Sequence, residues 1–311
     1  MTDSVHRTVL LNETIEGLLA RRNLGEGGNE KLVIVDATFG GGGHSAEICG
    51  RYPGIKIIAI DQDQNAWRSA QEKFKDLNCD ITFHNTNFKN LTDVLKEEGT
   101  KEIDGVVLDL GLSSDQLENS GRGFSFLIDE PLIMTMKDIK DNLPRPEDLT
   151  ARDIVNTWSE KSLSDIIYGY GEERFSRKIA QGIVDSRKKK KIETTFDLVK
   201  IIEGVVPGKY RRGKIHCATK TFQALRIAVN DELGALSIGL IKGFNALRIG
   251  GRICVISFHS LEDRIVKKFF KEKAKEGTAR LINKKPIIAK SEELKNNRRS
   301  RSAKLRILEK I

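Results

Sequence analysis

The stretch Leu32-Val-Ile-Val-Asp36-Ala-Thr-Phe-Gly40-Gly-Gly-Gly43-His44-Ser45 is an apolar run that ends in an acid and continues into four consecutive glycines. Residues 32–35 are short, continuous and β-branched, which is typical of a strand buried on both faces of a parallel sheet. Glycine has no Cβ, so a ligand can approach the backbone there, and the next helix N-terminus offers unpaired N–H groups. The stretch predicts a strand, a turn and a helix around a cofactor; a flexible turn is the plainer alternative.

The size and composition of the chain fit a globular protein. It has 311 residues, 39% hydrophobic and 31% charged, enough for one large core or a core with an insertion. Its apolar runs are shorter than the roughly 18 residues of a membrane span. Residues 1–6 lack the basic and apolar regions of a signal peptide and the composition of a transit peptide. We therefore expect a cytoplasmic protein without a membrane partner.

Cysteine and histidine spacing gives no sign of a disulfide framework or a metal site. The cysteines are widely separated and form no C-x-x-C pair, so we expect them to be reduced. They are Cys49, Cys79, Cys217 and Cys254. The five histidines show neither an H-E-x-x-H motif nor a Cys/His zinc spacing. The sequence therefore predicts no bound metal.

Positive charge is concentrated in two blocks. The net charge is +9, and residues 171–220 hold 14 Lys and Arg against 6 Asp and Glu. Residues 285–311 hold 9 Lys and Arg against 3 acids. Such blocks suit a polyanion, because each phosphate contact releases condensed counterions. For a single run such as Arg187-Lys-Lys-Lys-Lys191, a solubilising surface is an equally good interpretation.

Three predicted strands end in an acid: 32–35 before Asp36, 55–61 at Asp61 and 103–109 at Asp109. In doubly wound sheets, ligands lie beyond the carboxyl ends of the strands, and an acid at the second strand's end can bind ribose hydroxyls. Asp61 is therefore our ribose ligand, whereas the nearby Asp63 suits a helix N-cap. Three acids expected at one rim of the sheet indicate a site.

Phe88 follows a further predicted strand, at residues 79–84. An adenine ring could lie against its side chain at the strand's end. Packing of this ring in the core is an equally good interpretation.

The alternation of strands and helices stops between residues 118 and 216. Four segments there have helical periodicity, at 151–158, 163–169, 172–187 and 195–205. We interpret 118–216 as an inserted helical domain that binds substrate, between core segments 1–117 and 217–311. The core then resumes with one long helix over 218–247, ended by Gly250-Gly251, and strands at 252–257, 281–288 and 302–308. The predicted class is α/β, with a seven-stranded mixed sheet whose last two strands form an antiparallel pair without a helix between them.

Several cofactors compete for the glycine turn. Gly41-x-Gly43-x-x-Ala46 satisfies the relaxed dinucleotide fingerprint, so a nicotinamide-dependent oxidoreductase is an alternative. Against it, His44 occupies the helix N-terminus that a pyrophosphate needs, and Asp36 would repel a phosphate. The chain contains no G-x-x-x-x-G-K-[ST] phosphate loop. A sulfonium cofactor, S-adenosylmethionine, fits acids at the first two strands better.

A family resemblance rests on nine stretches that span nearly the whole chain. They are His6-Arg-Thr-Val-Leu-Leu-Asn-Glu13, Asp36-Ala-Thr-Phe-Gly-Gly-Gly-Gly-His-Ser45, Ala59-Ile-Asp-Gln-Asp63, Leu108-Asp-Leu-Gly-Leu-Ser-Ser-Asp-Gln-Leu117, Gly121-Arg-Gly-Phe-Ser-Phe126, Tyr170-Gly-Glu-Glu-Arg174, Ala218-Thr-Lys-Thr-Phe-Gln-Ala-Leu-Arg226, Ser257-Phe-His-Ser-Leu-Glu-Asp-Arg264 and Arg301-Ser-Ala-Lys-Leu-Arg306. In these stretches the chain resembles the bacterial 16S ribosomal RNA cytosine-N4 methyltransferases. The resemblance implies a class I, Rossmann-like S-adenosylmethionine-dependent methyltransferase fold with an inserted helical domain. It also implies methylation of a decoding-region cytidine on the small ribosomal subunit.

The resemblance also carries over a set of cofactor-binding residues. They are Gly42, Gly43, His44, Asp61, Phe88, Asp109 and Gln116. Most of them also stand at the predicted strand ends. Gln116 rests on the resemblance alone, because an isolated loop glutamine has no distinctive signal.

The chain departs from the family pattern after Asp129. Where the family continues with glycine and then Pro-Leu-Asp-Met-Arg-Met-Asp, this sequence has Glu130-Pro-Leu-Ile-Met-Thr-Met-Lys137. Two acids and an arginine are thereby replaced by Ile133, Lys137 and Thr135. If the family residues orient the target base, activity here is reduced or changed. If they only stabilise the loop, activity is retained.

Methyl transfer to N4 of cytosine demands positioning above all, because the N4 lone pair is delocalised into the ring. The base must be unstacked and held by its Watson-Crick edge, with acceptors near N4. We expect Asp109, Ser113, Ser114 and His259 to lie at this junction. The Asn/Asp/Ser-Pro-Pro-aromatic signature of DNA amino-methyltransferases is missing from the chain, so DNA is not expected as a partner.

A ribosome-assembly factor that binds RNA without catalysis is the alternative of another class, since it would keep the basic blocks and tolerate the altered loop. Cofactor binding separates it from an enzyme only in part, whereas transfer of radiolabelled methyl groups to small-subunit particles separates the two directly. The sequence is compatible with a monomer or a homodimer.

Overall fold

The structure, a computed structural model, describes residues 8–19, 32–52, 54–75, 77, 79–139, 144–145 and 147–311, with the backbone alone at Ser69 and Ser114. The described residues do not include residues 1–6, where no targeting signal was expected. They also do not include Leu143 and Pro146. The chain divides into two compact units. The first combines Met1–Gly111 with Leu233–Ile311, and the second is Leu112–Glu232.

The first unit is built on a seven-stranded mixed sheet. Its strands are β1 (Val33–Asp36), β2 (Lys56–Asp61), β3 (Asp80–Asn85), β4 (Ile103–Asp109), β5 (Leu247–Ser257), β6 (Ala279–Leu281) and β7 (Lys304–Lys310). They lie in the order β3-β2-β1-β4-β5-β7-β6. The first five are parallel, and β7 is antiparallel to both of its neighbours. The predicted α/β class, seven strands and antiparallel edge pair are confirmed.

Helices cover both faces of this sheet. They are α1 (Leu11–Leu19), α2 (Gly43–Arg51), α3 (Gln64–Lys75), α4 (Leu91–Glu97), α12 (Glu232–Ala246), α13 (Ser260–Lys275) and α14 (Ser291–Asn296), with 3₁₀ turns η1 (Phe88–Asn90) and η2 (Arg298–Ser302). Ile34 and Ile57 belong to one apolar cluster and their neighbours Val35 and Ile58 to another. Successive strand residues point to opposite faces, so these continuous apolar runs follow from a sheet buried on both sides.

The predicted helix over 218–247 is wrong, because two helices occupy this region. The first, α11 (Thr219–Asn230), ends at Asp231, which has φ 48° in the left-handed region, and α12 follows. Aspartate is one of the few residues that adopt this conformation at low cost. Gly250-Gly251 does not end a helix either. Both glycines lie within β5, which begins at Leu247, next to an irregularity in its pairing with β4.

The last two strands differ from prediction in their bounds. The sixth strand ends at Leu281, and an isolated bridge joins Ile287 to Leu305 of β7. The connection to β7 contains α14 and η2, contrary to the expected direct connection. Neither is a crossover between parallel strands, so the pair remains antiparallel.

The second unit is helical among its described residues. Its helices are α5 (Ser114–Glu118), α6 (Ala151–Thr157), α7 (Glu160–Gly169), α8 (Ser176–Arg187), α9 (Thr195–Val205), α10 (Gly208–Arg211) and α11. They pack around one apolar core that includes Ile154, Ile179 and Leu225. The expected insertion covered 118–216. The compact unit also contains α11, because this helix packs on α6 and α7. Thr194 caps α9 in a capping box with Asp197.

The expectation that all four cysteines are reduced is wrong for two of them. Cys49 in α2 and Cys79 before β3 form a disulfide with a Cα–Cα distance of 5.5 Å. They are 30 residues apart in the chain, so spacing alone gave no sign of the pair. Cys217 and Cys254 are buried free thiols. In the part of the chain that the structure describes, no helix has the length and apolar character to cross a membrane.

Candidate cofactor and active site

The carboxyl ends of three neighbouring strands bring Asp36, Asp61 and Asp109 to one rim of the sheet. The strands β2, β1 and β4 are adjacent and parallel, with Asp36 paired with Ala59 of β2 and Val107 of β4. Backbone hydrogen bonds from Ala37 N to Val107 O (2.9 Å) and from Phe39 N to Ile60 O (3.0 Å) hold the turn against both neighbours. The three acids therefore lie at one rim, as expected; their binding roles stay predictions.

The glycine turn has a backbone that other residues cannot adopt easily. Gly42 has φ 67°, and a Cβ on it would lie 2.6 Å from the ring of Phe39 and 2.8 Å from that of Phe74. A Cβ on Gly43, the first residue of α2, would collide with the Thr8 hydroxyl. No side chain caps the helix at Gly42. The turn therefore packs closely against Phe39, Phe74 and Thr8, and the N-terminus of α2 has no side-chain cap.

Asp61 connects the turn to the end of β2. Its Oδ2 accepts a hydrogen bond from Gly40 N at 2.8 Å, and its Oδ1 accepts one from Asp63 N at 2.9 Å. Burial raises the pKa of Asp61 to about 6, against the lowering effect of these two hydrogen bonds. Each oxygen keeps a second lone pair, so the carboxylate can still accept hydroxyl donors. Asp63 itself accepts from Asn65 N at 3.2 Å before α3, which is the predicted N-cap role.

Asp36 is almost fully buried behind the turn. Its Oδ2 accepts a 2.6 Å hydrogen bond from the Ser45 hydroxyl of α2, and Oδ1 accepts a longer one from Thr38 N at 3.4 Å. Burial raises the pKa of Asp36 to about 6, although the Ser45 bond lowers it. A buried carboxylate with few donors favours a nearby cation.

Asp109 ends β4 beside His44, with its Oδ2 3.9 Å from the His44 Nδ1. Its backbone N–H donates to the Thr38 hydroxyl at 2.6 Å. The Oδ1 atom is buried and has no hydrogen-bond partner among the described residues. Burial, and then the charges of Asp36 and Glu262, raise the pKa of Asp109 well above its usual range. This oxygen is an acceptor available for a ligand.

Phe88 lies in η1, directly after β3, and its ring packs on α12. A Cβ on Gly239 would lie 2.5 Å from this ring, so one part of the ring is committed to the core. The ring is not fully buried. Asn87 donates to Gln62 Oε1 at 3.2 Å, which keeps the loop after β3 next to the one after β2. The structure thus gives Phe88 a packing role and leaves the adenine contact a prediction.

His259 has a structural role at the start of α13. It is the N-cap, its Nδ1 accepts from Glu262 N at 3.4 Å, and its Nε2 lies 3.1 Å from Glu262 Oε1. Both ring nitrogens thus face Glu262. Its predicted catalytic role stays a prediction and has no contact here to support it.

Three predicted site residues belong to the second unit. Ser113 caps α5, its hydroxyl accepts from Gln116 N, and the Gln116 Oε1 accepts from Ser113 N, both at 3.1 Å. Ser114 is the first residue of that helix. The capping box gives Ser113 and Gln116 a structural function in addition to their predicted roles.

The altered loop is firmly held within the second unit. Asn230 accepts from Met136 N at 2.7 Å and donates to Met134 O at 2.8 Å, and Arg122 donates to the carbonyl oxygens of residues 135 and 137. Ile133 and Thr135 are buried, and Lys137 pairs with Asp148. These contacts hold the loop backbone in place, and both interpretations of the three altered side chains stay predictions.

Three side chains around the turn have contacts that the sequence did not predict. Thr38 and Ser45 hold the two acids as described, and Lys73 Nζ of α3 donates to Gly41 O at 2.8 Å. Ser45 stands in the first turn of α2, where a hydroxyl can reach back to the preceding strand. The contacts of Thr38 and Lys73 depend on tertiary structure and leave no local signal.

The arrangement suits a ligand with hydroxyl donors and a positive charge. Asp61 can accept hydroxyls, Asp36 and Asp109 supply negative potential, and the glycine turn lets a ligand approach the backbone. These residues fit S-adenosylmethionine. They do not fit a pyrophosphate, because the acids of the rim would repel it.

The chain is similar to known proteins over nearly its whole length. The model of the MraW methylase family matches residues 3–311. The chain is 45% identical to "Ribosomal RNA small subunit methyltransferase H" of Lactobacillus johnsonii, over 98% of this chain and 99% of that protein. Proteins of the same name from Clostridium botulinum and Brevibacillus brevis are 45% and 41% identical, with 98% of this chain covered and 99% and 98% of theirs.

A solved structure, an rRNA methylase from Streptococcus thermophilus, is 11% identical with a TM-score of 0.41, over 90% of this chain and 87% of that one. This likeness is too weak to bear on the fold or the function.

Proposed function

The chain belongs to the MraW methylase family, and from this premise we propose that it transfers a methyl group from S-adenosylmethionine to N4 of a cytidine in the decoding region of 16S ribosomal RNA. The relatives named above act, by their names, on RNA of the small ribosomal subunit. A nicotinamide cofactor has no support in this family. The protein acts in the cytoplasm on the small subunit, without a membrane or DNA partner, as a monomer or a homodimer.

The proposal rests on one observation at Asp109, which ends β4 at the sheet rim. Its Oδ1 is buried and has no hydrogen-bond partner among the described residues. A buried acceptor without a donor is costly to a fold, and its persistence indicates a ligand donor. The N4 amine of cytosine is such a donor.

The cofactor is held by residues of the first unit. Asp61 accepts the ribose hydroxyls, Gly42 and Gly43 allow close approach, and Phe88 contacts the adenine. When bound, S-adenosylmethionine supplies an electrophilic methyl group on a positively charged sulfur, a charge that favours the ionised form of neighbouring acids. Asp36, which is 2% exposed, contributes to that negative environment.

Asp109 is the catalytic residue of the proposal. Its Oδ1 accepts a hydrogen bond from an N–H of the N4 amine, which orients the amine and localises its lone pair. As positive charge develops on N4, the same carboxylate stabilises it. Proton loss can follow transfer, so no strong base is required. The His44 Nδ1 lies 3.9 Å from the other oxygen of this carboxylate. Ser113, Ser114 and His259 remain predicted contacts to the base, and Gln116 a predicted contact to the cofactor.

The experiment is transfer of radiolabelled methyl groups from S-adenosylmethionine to small-subunit particles that lack the modification. Wild-type protein should label the RNA, and Asp109→Ala should lower the rate at least 100-fold, as expected for loss of a positioned acceptor in the transition state. Asp93→Ala is the matched control, because Asp93 is an exposed acid on α4. Wild-type rates in Asp109→Ala would refute its role. Absence of labelling by wild-type protein that binds both cofactor and RNA would identify a non-catalytic assembly factor instead.

A further inference from the structure

We propose that Arg174 and the basic segment 209–214 beside it form a binding site for backbone phosphates of the RNA substrate. The ligand's identity as RNA rests on the proposed function. The site itself rests on contacts within the second unit, which neither the family resemblance nor the comparisons assign to any role.

Arg174 is held in place by two aromatic rings. Its Cζ lies 4.8 Å from the ring centroid of Phe175 and 4.9 Å from that of Tyr210. The two rings are themselves in contact, with centroids 4.8 Å apart and planes inclined by 65°. Arg174 is nevertheless exposed. An exposed guanidinium that is already oriented by aromatic faces loses less conformational entropy on binding than a free one.

The support beneath Arg174 is rigid. The fully buried Glu173 accepts a 2.8 Å hydrogen bond from Phe175 N on Oε1 and one from the Tyr210 hydroxyl on Oε2. Burial, and then this contact with Glu173, raise the pKa of the Tyr210 hydroxyl, so it remains a donor. Glu173, which precedes Arg174 in the sequence, is therefore buried, and both of its oxygens accept hydrogen bonds from other residues. Among the described residues, no carboxylate forms an ion pair with Arg174.

The segment 209–214, which contains Tyr210, adds four exposed cations. Residues 204–216 contain four Lys and Arg and no Asp or Glu. The cations are Lys209, Arg211, Arg212 and Lys214. Glu203, just before the segment, lies 3.7 Å from His216, and its backbone oxygen is 3.5 Å from Arg211. The exposed Glu172 lies two residues before Arg174 in the sequence, and Lys220 donates to its backbone oxygen at 2.8 Å. Positive charge dominates this surface.

The basic run 187–191 is partly neutralised by neighbouring groups, unlike Arg174. In the run 187–191, Arg187 donates to Val155 O at 2.8 Å, Lys188 pairs with Asp185 at 3.0 Å and Lys190 lies 3.7 Å from Asp197. Arg174 presents a planar fork that matches two phosphate oxygens, whereas a paired lysine has less charge to offer. Phosphate binding is therefore expected at Arg174 rather than at the lysine run.

The test is binding of transcribed 16S ribosomal RNA at several KCl concentrations. Arg174→Ala should weaken binding about 5- to 30-fold and lower the slope of log affinity against log salt by about 0.7–0.9, the value for one phosphate contact. Arg174→Lys should keep the slope but lose several-fold in affinity, because the charge remains and the stacked fork is lost. Alanine at all four cations of the segment should lower the slope further. Lys188→Ala is the matched control, with an expected change below two-fold.

The site is refuted if Arg174→Ala and the four-fold variant bind RNA with wild-type affinity and slope, or if Lys188→Ala loses as much as Arg174→Ala. Cofactor binding by calorimetry should be unchanged in every variant, which separates this site from the cofactor site. If wild-type protein labels the RNA with methyl groups and these variants bind it normally, the phosphate site alone fails. If wild-type protein binds RNA through Arg174 and transfers no methyl group, the proposed function alone fails.

Discussion

The backbone N–H of Gly40 donates to Asp61 Oδ2 at 2.8 Å, so the glycine turn after β1 and the end of β2 form one structural unit. A second donor, Asp63 N, holds the other carboxylate oxygen at 2.9 Å. The Asp61 carboxylate is therefore fixed in place by backbone donors of the protein itself. Such preorganisation lowers the entropic cost of binding.

We expect Asp61→Asn to weaken S-adenosylmethionine binding at least tenfold. The amide would place an N–H₂ group against the Gly40 or the Asp63 N–H, and it loses the charge that strengthens bonds to ribose hydroxyls. Calorimetry measures the dissociation constant. Asp63→Asn removes the same charge next to the site but can still cap α3, so its affinity should stay within about threefold. Equal losses in both variants would contradict the ribose role of Asp61.

Cofactor affinity should fall as the pH drops through about 6. Burial raises the pKa values of Asp36 and Asp61 to about 6, so both are ionised above that pH and protonated below it. A protonated acid neither attracts a cation nor accepts hydroxyl donors as well. The dissociation constant should be nearly flat between pH 7 and 8 and rise below pH 6, by up to about tenfold per pH unit for each of the two acids. A flat profile down to pH 5 would contradict this account, and Asp61→Asn should show a shallower one.

Asp36→Asn should stabilise the protein without cofactor at pH 7.5, by about 1–2 kcal/mol. The raised pKa of Asp36 means that the folded state prefers the protonated form. The protonated carboxyl group therefore contributes stability that is fully present below its unfolded pKa and is lost as the pH rises through about 6. Denaturant unfolding at several pH values measures the difference, which should shrink as the pH falls from 7 toward 4. A variant less stable than wild type at pH 7.5 would show that the bond from Ser45 outweighs the burial cost.

Gly42→Ala should destabilise the protein by about 2 kcal/mol and abolish cofactor binding. The added methyl group meets two aromatic rings at 2.6 and 2.8 Å, and φ is 67°. Gly50→Ala in the same helix is the matched control, because nothing lies within 4 Å of its Cβ. In a helix this change should stabilise by about 0.5–1 kcal/mol. Thermal unfolding with and without cofactor measures both the stability and the cofactor binding of the two variants. Equal melting temperatures and equal stabilisation by cofactor in the two variants would contradict the packing argument.

Much of the sheet is predictable from sequence, because its strands are short β-branched runs with an acid or a turn at the end. The strand predicted at 103–109 has the same bounds as β4. The strands predicted at 32–35 and 79–84 each begin and end one residue earlier than β1 and β3. Predictions failed where tertiary contacts decide. The break at Asp231 lies within a periodic apolar pattern, and β5 extends back to Leu247 through pairing with Ile103.

The candidate site was predictable as far as strand ends and glycines reveal it. Asp36, Asp61 and Asp109 follow from parallel strands that share a rim. Thr38 accepts from the Asp109 N–H 71 residues away, and no local pattern marks such a partner. The Cys49–Cys79 disulfide was missed for the same reason.

Nucleoside mass spectrometry of 16S ribosomal RNA tests the central claim most directly. Small-subunit RNA from cells that lack this protein should lack one N4-methylated cytidine in the decoding region, and incubation of those particles with the protein and S-adenosylmethionine should restore it. Asp109→Ala protein should leave the RNA unmodified, and Asp93→Ala protein should modify it. An unchanged N4-methylcytidine content with and without the protein, or a methyl group at another position, would contradict the account.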